Sequence, residues 1–481
     1  MANKYYPTIG LEIHAELKTQ TKMFCGCKNN PDEEKPNVNI CPVCMAHPGA
    51  LPVINKKAIE NVIKVGLAIN GEIADFSEFD RKNYFYPDIP KGYQISQYKF
   101  PIVSGGHLAG MDVTRVHLEE DTANNKHFSD YSLVDFNRGG VPLMELVTEP
   151  HTLENAEEAA KLASNFAKEL QLVLWYLSVS EANMEKGEMR VEANISVSKD
   201  PKVLGTKVEV KNLNSFRSVE RAVLFEVDRM TKLWEEGKES EIVQETRGWD
   251  EGKQKTFSQR KKEGSADYRY FPDPDLPKMK LHEAFDLEKI KKELAELPAE
   301  KRARYKKDFD IKNEDIESYI NDPALGSWFE DVAKVLNNKE LIKLASNYIT
   351  NDLIGLIKTV LIKGWVDSSR LPPANYFAKL INMNYESKLN SASTKKILSG
   401  LVTTHEDPEK IATEEGLFQQ SDEGTLKIIV QKAIKENPEV VMAYKGGKEN
   451  AIMSLVGKII KESNGSANPQ IVIKLLKEML K

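Results

Sequence analysis

Two groups of side chains in this 481-residue chain have the types and spacing for chemistry. The first lies in IGLEIHAEL, residues 9–17, where Glu12, His14 and Glu16 alternate with Leu11, Ile13 and Ala15. Side chains in a strand point alternately to opposite faces, so this spacing sets two carboxylates around an imidazole. Two further glutamates fall on rows that are otherwise apolar. Glu120 follows Val116 and Leu118 in VTRVHLEEDT, and Glu145 sits among Val141, Leu143 and Val147 in VPLMELVTE. A carboxylate on an apolar row is costly to bury without an ion pair, a metal or a proton. With the row of Glu12, His14 and Glu16 they make an oxygen-rich donor set with one imidazole, a set that suits magnesium. The alternative is a structural ion-pair network, for which Arg81, Lys82, Arg138, Arg190 and Lys207 are available. A polar row of Arg190, Glu192, Asn194 and Ser196 in EMRVEANISVS either is solvated or lines a cavity facing those acids.

The second group is FCGCKNNPDEEKPNVNICPVC, which holds all four cysteines. Cys25 and Cys27 form one close pair and Cys41 and Cys44 another, joined by a polar loop with Pro31 and Pro36. Two close pairs across a loop wrap four thiolates around tetrahedral zinc, and four protein ligands make that zinc structural. Structural disulfides are the competing arrangement, one that belongs to oxidising compartments. Other chemistry is excluded. The chain has no G-x-x-x-x-G-K-[ST] phosphate loop, no protein-kinase signature set and no G-x-S-x-G elbow.

The elements that must position these residues follow from periodicity. IGLEIHAEL, VTRVHLEEDT, VPLMELVTE, EMRVEANISVS and TKVEVKN predict strands, broken by one clear helix that starts at Thr152 or Asn155 and runs through ENAEEAAKLASNFAKELQLVLWYL. After FPDPDLPK the segments become helix-periodic and rich in Lys, Glu, Leu and Ala. We expect an α+β protein with a β-rich domain over residues 1–290, an all-α domain over 291–405 and a small all-α tail domain over 406–481. In the tail segment KENAIMSLVGKIIKES, Ile452, Leu455, Val456 and Ile459 share a face opposite Lys458 and Lys461. From residue 427 onward there are ten lysines against five glutamates, an excess that fits either a phosphate-backbone contact or a solvated lysine-rich surface.

Composition bounds the rest. Apolar content of 41% and charged content of 29% are those of a globular protein, and a net charge of −6 argues against a surface coated with basic residues. No apolar run has the length to span a membrane, and MANKYYPTIG passes directly into the first strand without a signal segment, so the expected location is cytoplasmic.

The segments IGLEIHAELKTQTKMF, FDRKNYFYPDIPKGYQISQY, VHLEEDTA, LVDFNRGGVPLMELVTEP, MRVEANISV, KVEVKNLNSF, QETRGWDE, DYRYFPDPDLP and GKENAIMSLVGKIIKESNGSANPQ resemble, in order, the B-subunit of the tRNA-dependent amidotransferases. The resemblance spans residue 9 to the end, and DFNRGGVPLMELV is its most specific part. It implies a cradle domain that uses ATP and magnesium to activate the side-chain carboxylate of Glu-tRNA(Gln) or Asp-tRNA(Asn). Ammonia from glutamine hydrolysed in a separate amidase (glutaminase) subunit then attacks, with a small third subunit completing a heterotrimer. It implies His14, Glu120 and Glu145 as magnesium ligands, Glu12 as the acid beside the metal, and Lys82 and Arg190 as holders of phosphate or substrate carboxylate. It implies a tail that contacts tRNA, where Lys458 and Lys461 are the candidates. The rival to this enzyme is a tRNA-binding scaffold whose acids are structural. Two positions depart from the family's pattern: Asn124 stands where a lysine is usual, with Lys126 two residues on, and His151 stands where an aspartate is usual. The four cysteines occur in only part of the family, which fits a structural role.

Overall fold

The structure is a computed structural model that describes residues 5–261, 268–357, 367–419, 423–463 and 467–480. The chain divides into two compact units, Met1–Pro298 and Ala299–Lys481.

The first unit is built on an eleven-stranded sheet. Its central strands are β1 (Tyr6–Glu16), β2 (Met111–Glu120), β3 (Pro142–Thr148) and β4 (Met189–Ser198), lying side by side in the order β4, β1, β3, β2. Every neighbouring pair in this set is antiparallel. Beyond β4 the sheet continues through β5 (Val208–Leu213), β6 (Glu245–Asp250) and β7 (Lys255–Lys261). Register aligns one apolar row across the centre: Val191 lies opposite Ile13, Ile13 opposite Leu146, and Leu146 opposite Val116. All four are buried, and together with Leu11, Ala193, Met144 and Leu118 they form the sheet side of the core. Each fully buried side chain of this size contributes about 1.5–3 kcal/mol.

Two helices cover that face. Helix α2 (Ala156–Tyr176) packs on β1, and α3 (Phe216–Glu235) packs on β4 and on α2. Asn155 caps α2 by accepting the backbone N–H of Glu158, while Thr152 pairs with Thr8 in the sheet, which decides between the two expected starts. Ser215 caps α3 in the same way through Ser218 N–H. The sequence pattern predicted neither α3 nor α1 (Lys56–Ala68) as a helix. Helix α1 is rich in β-branched residues, which also suit strands, and the Asn55 and Ser215 caps mark where the two helices start.

A smaller three-stranded sheet has Asp80–Asn83 at its centre, flanked by Tyr93–Ser96 and Phe271–Pro272. It brings DRKN of one motif against FP of another, although they are far apart in the chain (Arg81 pairs with Phe271 at 271 − 81 = 190).

The second unit is helical. Helices α4 (Pro298–Phe309), α5 (Asn313–Ile320) and α6 (Pro323–Leu336) meet at an aromatic cluster, in which the Tyr319 and Phe329 rings stack 4.1 Å apart and Tyr305 meets Phe329 at 5.7 Å. Helix α7 (Lys339–Tyr348) packs on α6. Helices α8 (Ala374–Tyr385), α9 (Ser391–Thr404) and α10 (Pro408–Glu414) pack on one another. The last four helices, α11 (Glu423–Glu436), α12 (Pro438–Lys445), α13 (Ile452–Glu462) and α14 (Pro469–Leu480), share a core of their own. Ile452, Leu455, Val456 and Ile459 are buried in it, and Lys458 and Lys461 are exposed. Lys481, one of the ten tail lysines, lies outside the described residues. Among the described residues, no helix is long and apolar enough to cross a membrane.

Candidate active site and cysteine knuckle

The face of the central sheet opposite α2 and α3 is where register gathers the polar row. His14 lies between Arg190 on β4 and Glu145 on β3, Glu12 lies opposite Glu192, and Glu145 lies opposite His117 on β2. Opposed residues in a ladder share a face, so Glu12, His14, Glu145, His117 and Glu119 converge. His14 Nε2 is 3.3 Å from Glu145 Oε2, 3.6 Å from Glu119 Oε1 and 4.0 Å from Glu12 Oε1. His117 Nε2 approaches the same Glu145 oxygen at 3.4 Å from the other side, and Arg115 Nη2 stands 3.7 Å from Glu145 Oε1.

Glu120 is not in this group. Its side chain accepts the Ile95 N–H at 2.9 Å and pairs with Lys91 at 2.8 Å, on the parity of Leu118 and the core. The expectation that chose Glu120 over Glu119 is therefore corrected. An acid on an apolar row does mark the site in β3, which is flanked on both sides and whose site-facing row carries Leu143 and Val147 as well as Glu145. It does not mark the site in β2, whose polar row of Arg115, His117 and Glu119 is itself the one that faces His14. Of the metal-ligand expectations, the structure brings Glu12, His14 and Glu145 together, and puts Glu119 where Glu120 was expected.

Electrostatics inside the group are strongly perturbed. Burial opposes charge on His14, but its hydrogen bond to Glu145 and the charges of Glu119, Glu145 and Glu12 raise it to about 9. Burial, then Glu145 and Glu192, pushes Glu12 up to about 7. Glu145 is held well below the carboxylate range: burial works the other way, and His117 and His14 outweigh it. Lys82, carried by the small sheet, has its ammonium 5.1 Å from the Tyr268 ring centre. Burial disfavours its charge, yet Glu119 and Glu145 with the neighbouring tyrosines raise it above the ordinary lysine value, so it is a fixed cation beside the acids.

The remaining basic candidates separate. Arg81 is committed to Asp273 and Asp275 at 3.0 and 2.9 Å, and Lys207 is exposed. Arg190 and Arg138 converge instead on buried Asp121, at 2.9 and 2.7 Å, with Arg138 also 3.5 Å from Glu16. Asp121 and Lys91 were missed as members of the polar framework; the unbroken run Glu119-Glu120-Asp121, three acids that two faces cannot both leave solvated, was the available signal. Asn124 opens an edge strand, Asn124–His127, that pairs with Ser132–Asp135, and Lys126 is exposed there.

The four cysteines form the second constellation. Their ligand atoms all lie within 4.8 Å of one another, and Cys41 and Cys44 Sγ are 3.9 Å apart. A disulfide needs about 2.05 Å, whereas the edge of a tetrahedron with Zn–S near 2.3 Å is about 3.8 Å. The donors fit zinc and not a disulfide. A hydrogen bond from Cys25, the Cys41 backbone and the charge of Lys22 lower the Cys44 thiol to about 5, against its burial. Lys22 is fully buried and donates to Phe136 O at 2.9 Å. A cavity of about 240 Å³ lies between this knuckle and the Lys91–Glu120 pair, with Lys22, Cys44, Tyr93 and Gly140 in its wall.

A sheet-borne cluster of imidazoles and carboxylates, followed by helical modules, defines an α+β protein. Residues 7–286 match the GatB/GatE catalytic domain, and residues 327–480 match the GatB domain. The chain is 40% identical to the aspartyl/glutamyl-tRNA(Asn/Gln) amidotransferase B-subunit of Persephonella marina, over 99% of this chain and 100% of the relative. It is 42% identical to the proteins of the same name from Elusimicrobium minutum, over 98% and 99%, and Thermotoga petrophila, over 99% and 99%. The chain belongs to the GatB family, the B-subunits of the aspartyl/glutamyl-tRNA(Asn/Gln) amidotransferases.

Proposed function

We propose that this chain activates the side-chain carboxylate of Glu-tRNA(Gln), Asp-tRNA(Asn) or both with ATP, and amidates it with ammonia supplied by a partner. The partners are an amidase subunit, which hydrolyses glutamine, and a small third subunit. The observation that carries the reading is the convergence of Glu12, His14, Glu119 and Glu145 beside the Lys82 ammonium. An acidic group with its own fixed cations, away from the core, is what phosphoryl transfer to a carboxylate requires, because two anions must be brought together.

His14, Glu119 and Glu145 would hold magnesium, with Glu12 beside it; the donor atoms of Glu12, His14 and Glu145 already lie within 4.8 Å of one another. Bound there, magnesium neutralises phosphate charge as the substrate carboxylate approaches. The chain's own residues do the rest. Lys82 offers a point charge to a phosphate or carboxylate oxygen. Arg190, anchored by Asp121, presents a guanidinium whose Nε has no partner and can take a planar anion. Attack by carboxylate oxygen on the terminal phosphorus forms the acyl phosphate and releases ADP. Ammonia then adds to the carbonyl carbon, the C–O bond to phosphate breaks, and the amine loses a proton to yield the amide and phosphate.

The tail module contacts tRNA through its lysine-rich surface, and the knuckle holds structural zinc on Cys25, Cys27, Cys41 and Cys44. The chain works in the cytoplasm, where charged tRNA is made and used.

The test follows ADP release by the chain co-expressed with its amidase and small partner subunits, given ATP, magnesium and mischarged tRNA. ADP release that requires Glu-tRNA(Gln) or Asp-tRNA(Asn), and falls at least about 100-fold in Glu119→Ala, supports the reading. If the complex binds both tRNAs and neither provokes ADP release, the chain is a tRNA-binding scaffold.

A further inference from the structure

The stretch Phe136-Asn137-Arg138 joins the cysteine knuckle to the polar network of the sheet, and its side chains divide between the two. Asn137 is fully buried and gives both ends of its amide to the knuckle loop. Its Oδ1 accepts the Val38 and Asn39 backbone N–H groups, each at 2.9 Å, and its Nδ2 donates to Lys35 O at 2.8 Å. Arg138, the next residue, sends its guanidinium instead to Asp121 at 2.7 Å and Glu16 at 3.5 Å. Asn37 answers from the knuckle side: its Oδ1 accepts the Phe136 N–H at 2.7 Å, and its own N–H donates to Asp135 Oδ1 at 3.0 Å. We infer that Asn37 and Asn137 are positioning residues, which fasten the knuckle loop to this stretch and so set where Arg138 stands and, through Asp121, how Arg190 is presented. This rests on reading Arg190 as the holder of an anionic substrate group, and deepens it.

Residues 136–141 belong to no strand or helix. A stretch without a ladder takes the conformation that its hydrogen-bond partners give it. Here both backbone groups of Phe136 go to the knuckle side, the N–H to Asn37 and the carbonyl to Lys22 Nζ at 2.9 Å, while the Lys22 N–H is itself bonded to Cys27 O at 2.9 Å. The fastening therefore reaches Arg138 from the residues on either side of the cysteines.

What Arg138 does there follows from the atoms of Asp121. Arg138 Nε donates to Asp121 Oδ2 at 2.8 Å and Arg190 Nη2 donates to the same oxygen at 2.9 Å, while Oδ1 is taken by the Thr122 N–H at 2.9 Å. A guanidinium and a carboxylate pair most strongly through two parallel hydrogen bonds. Two guanidiniums on one oxygen prevent that pairing, and Arg190 keeps its Nε without a partner. With Arg138 withdrawn, Asp121 can take Arg190 through two nitrogens and draw it away from an anion.

The experiment uses the complex of the full chain with its amidase and small partner subunits, and the variants Asn137→Ala and Asn37→Gly. Asn37 has a left-handed φ of +56°, which glycine adopts freely, so Asn37→Gly removes the amide and spares the backbone. Zinc content should match wild type, and so should Mn2+ binding, with Mn2+ standing in for magnesium on the acidic face. The KM of one anionic substrate, ATP or mischarged tRNA, should rise about tenfold with kcat held within about twofold, and adding Asn137→Ala to Arg138→Ala should change neither further. A lower kcat at unchanged KM is the mark of less folded enzyme and overturns the inference; so do additive effects in the double variant, and so does loss of zinc in Asn37→Gly. Hydrogen exchange decides the matter should Asn137→Ala fail to fold: residues 135–141 should exchange about tenfold faster in Asn37→Gly, and unchanged exchange overturns the inference. Failure of the functional reading is separate, since wild type without tRNA-dependent ADP release removes the use of Arg190, whereas faster exchange of residues 135–141 would still support the fastening.

Discussion

The side chains of the site are tuned by one another more than by their own chemistry. His14, held up at about 9, is an imidazolium at neutral pH in the cation-free protein, and Glu12, at about 7, is half protonated. A cation must displace those protons, because its ligands bind as the neutral imidazole and the carboxylate. The sign follows: affinity for Mn2+ rises with pH, and each proton released contributes about a tenfold change per pH unit. Between pH 7 and 9 the expected slope of log affinity is close to one, from His14; below pH 7 it steepens toward two as Glu12 joins. Calorimetric titrations in buffers of different ionisation enthalpy would count the protons directly. A flat affinity from pH 6 to 9 would show that the histidine is not a ligand.

At the scale of elements, β1, β3 and β2 place the site by register, and the knuckle lies beside the Lys91–Glu120 pair. Residues of the knuckle contribute little apolar burial; Val38, Leu51 and Val53 are exposed. On the proposed reading, zinc rather than a core holds such a segment. Removing zinc with a strong chelator, followed by metal analysis, should raise amide exchange across residues 25–52 by about tenfold or more, while β1, β3 and β4 keep their protection. Unchanged exchange in zinc-free protein would mean that the loops fold on hydrogen bonds alone, for example those that Asn137 makes to Val38, Asn39 and Lys35. The cavity between the knuckle and Lys91–Glu120 makes the same event visible near the site, since Cys44 and Lys22 form part of its wall.

On the proposed reading, the whole molecule separates chemistry from grip. The chain's formal charge is −6, while the tail carries its lysines on helices that pack Leu426, Leu455, Ile459 and Leu475 into a core of their own. Lys458 and Lys461 both project from α13, with Lys458 also touching Asn437. Replacing both with alanine should lower the salt dependence of tRNA binding by about one to two units of slope, with Mn2+ binding unchanged. An unaltered slope would send the tRNA contact elsewhere on the tail.

Much of this was legible in the chain. Alternation in IGLEIHAEL determined which of its rows faces the core, and the cysteine spacing determined the knuckle, because both depend on near neighbours in sequence. The breakers and the apolar face of α13 determined that the tail is helical. What only the tertiary structure decided was which rows meet. Parity within β2 cannot say whether Glu119 or Glu120 joins His14, since that depends on β2 pairing with β3, and β3 with β1, across a long stretch of chain (Glu145 meets His14 at 145 − 14 = 131). Nor can it supply Lys91 as the partner that occupies Glu120, or His117 as the imidazole on the far side of Glu145. A strand carries its own faces in its sequence, but the neighbour that each face meets is set by the sheet.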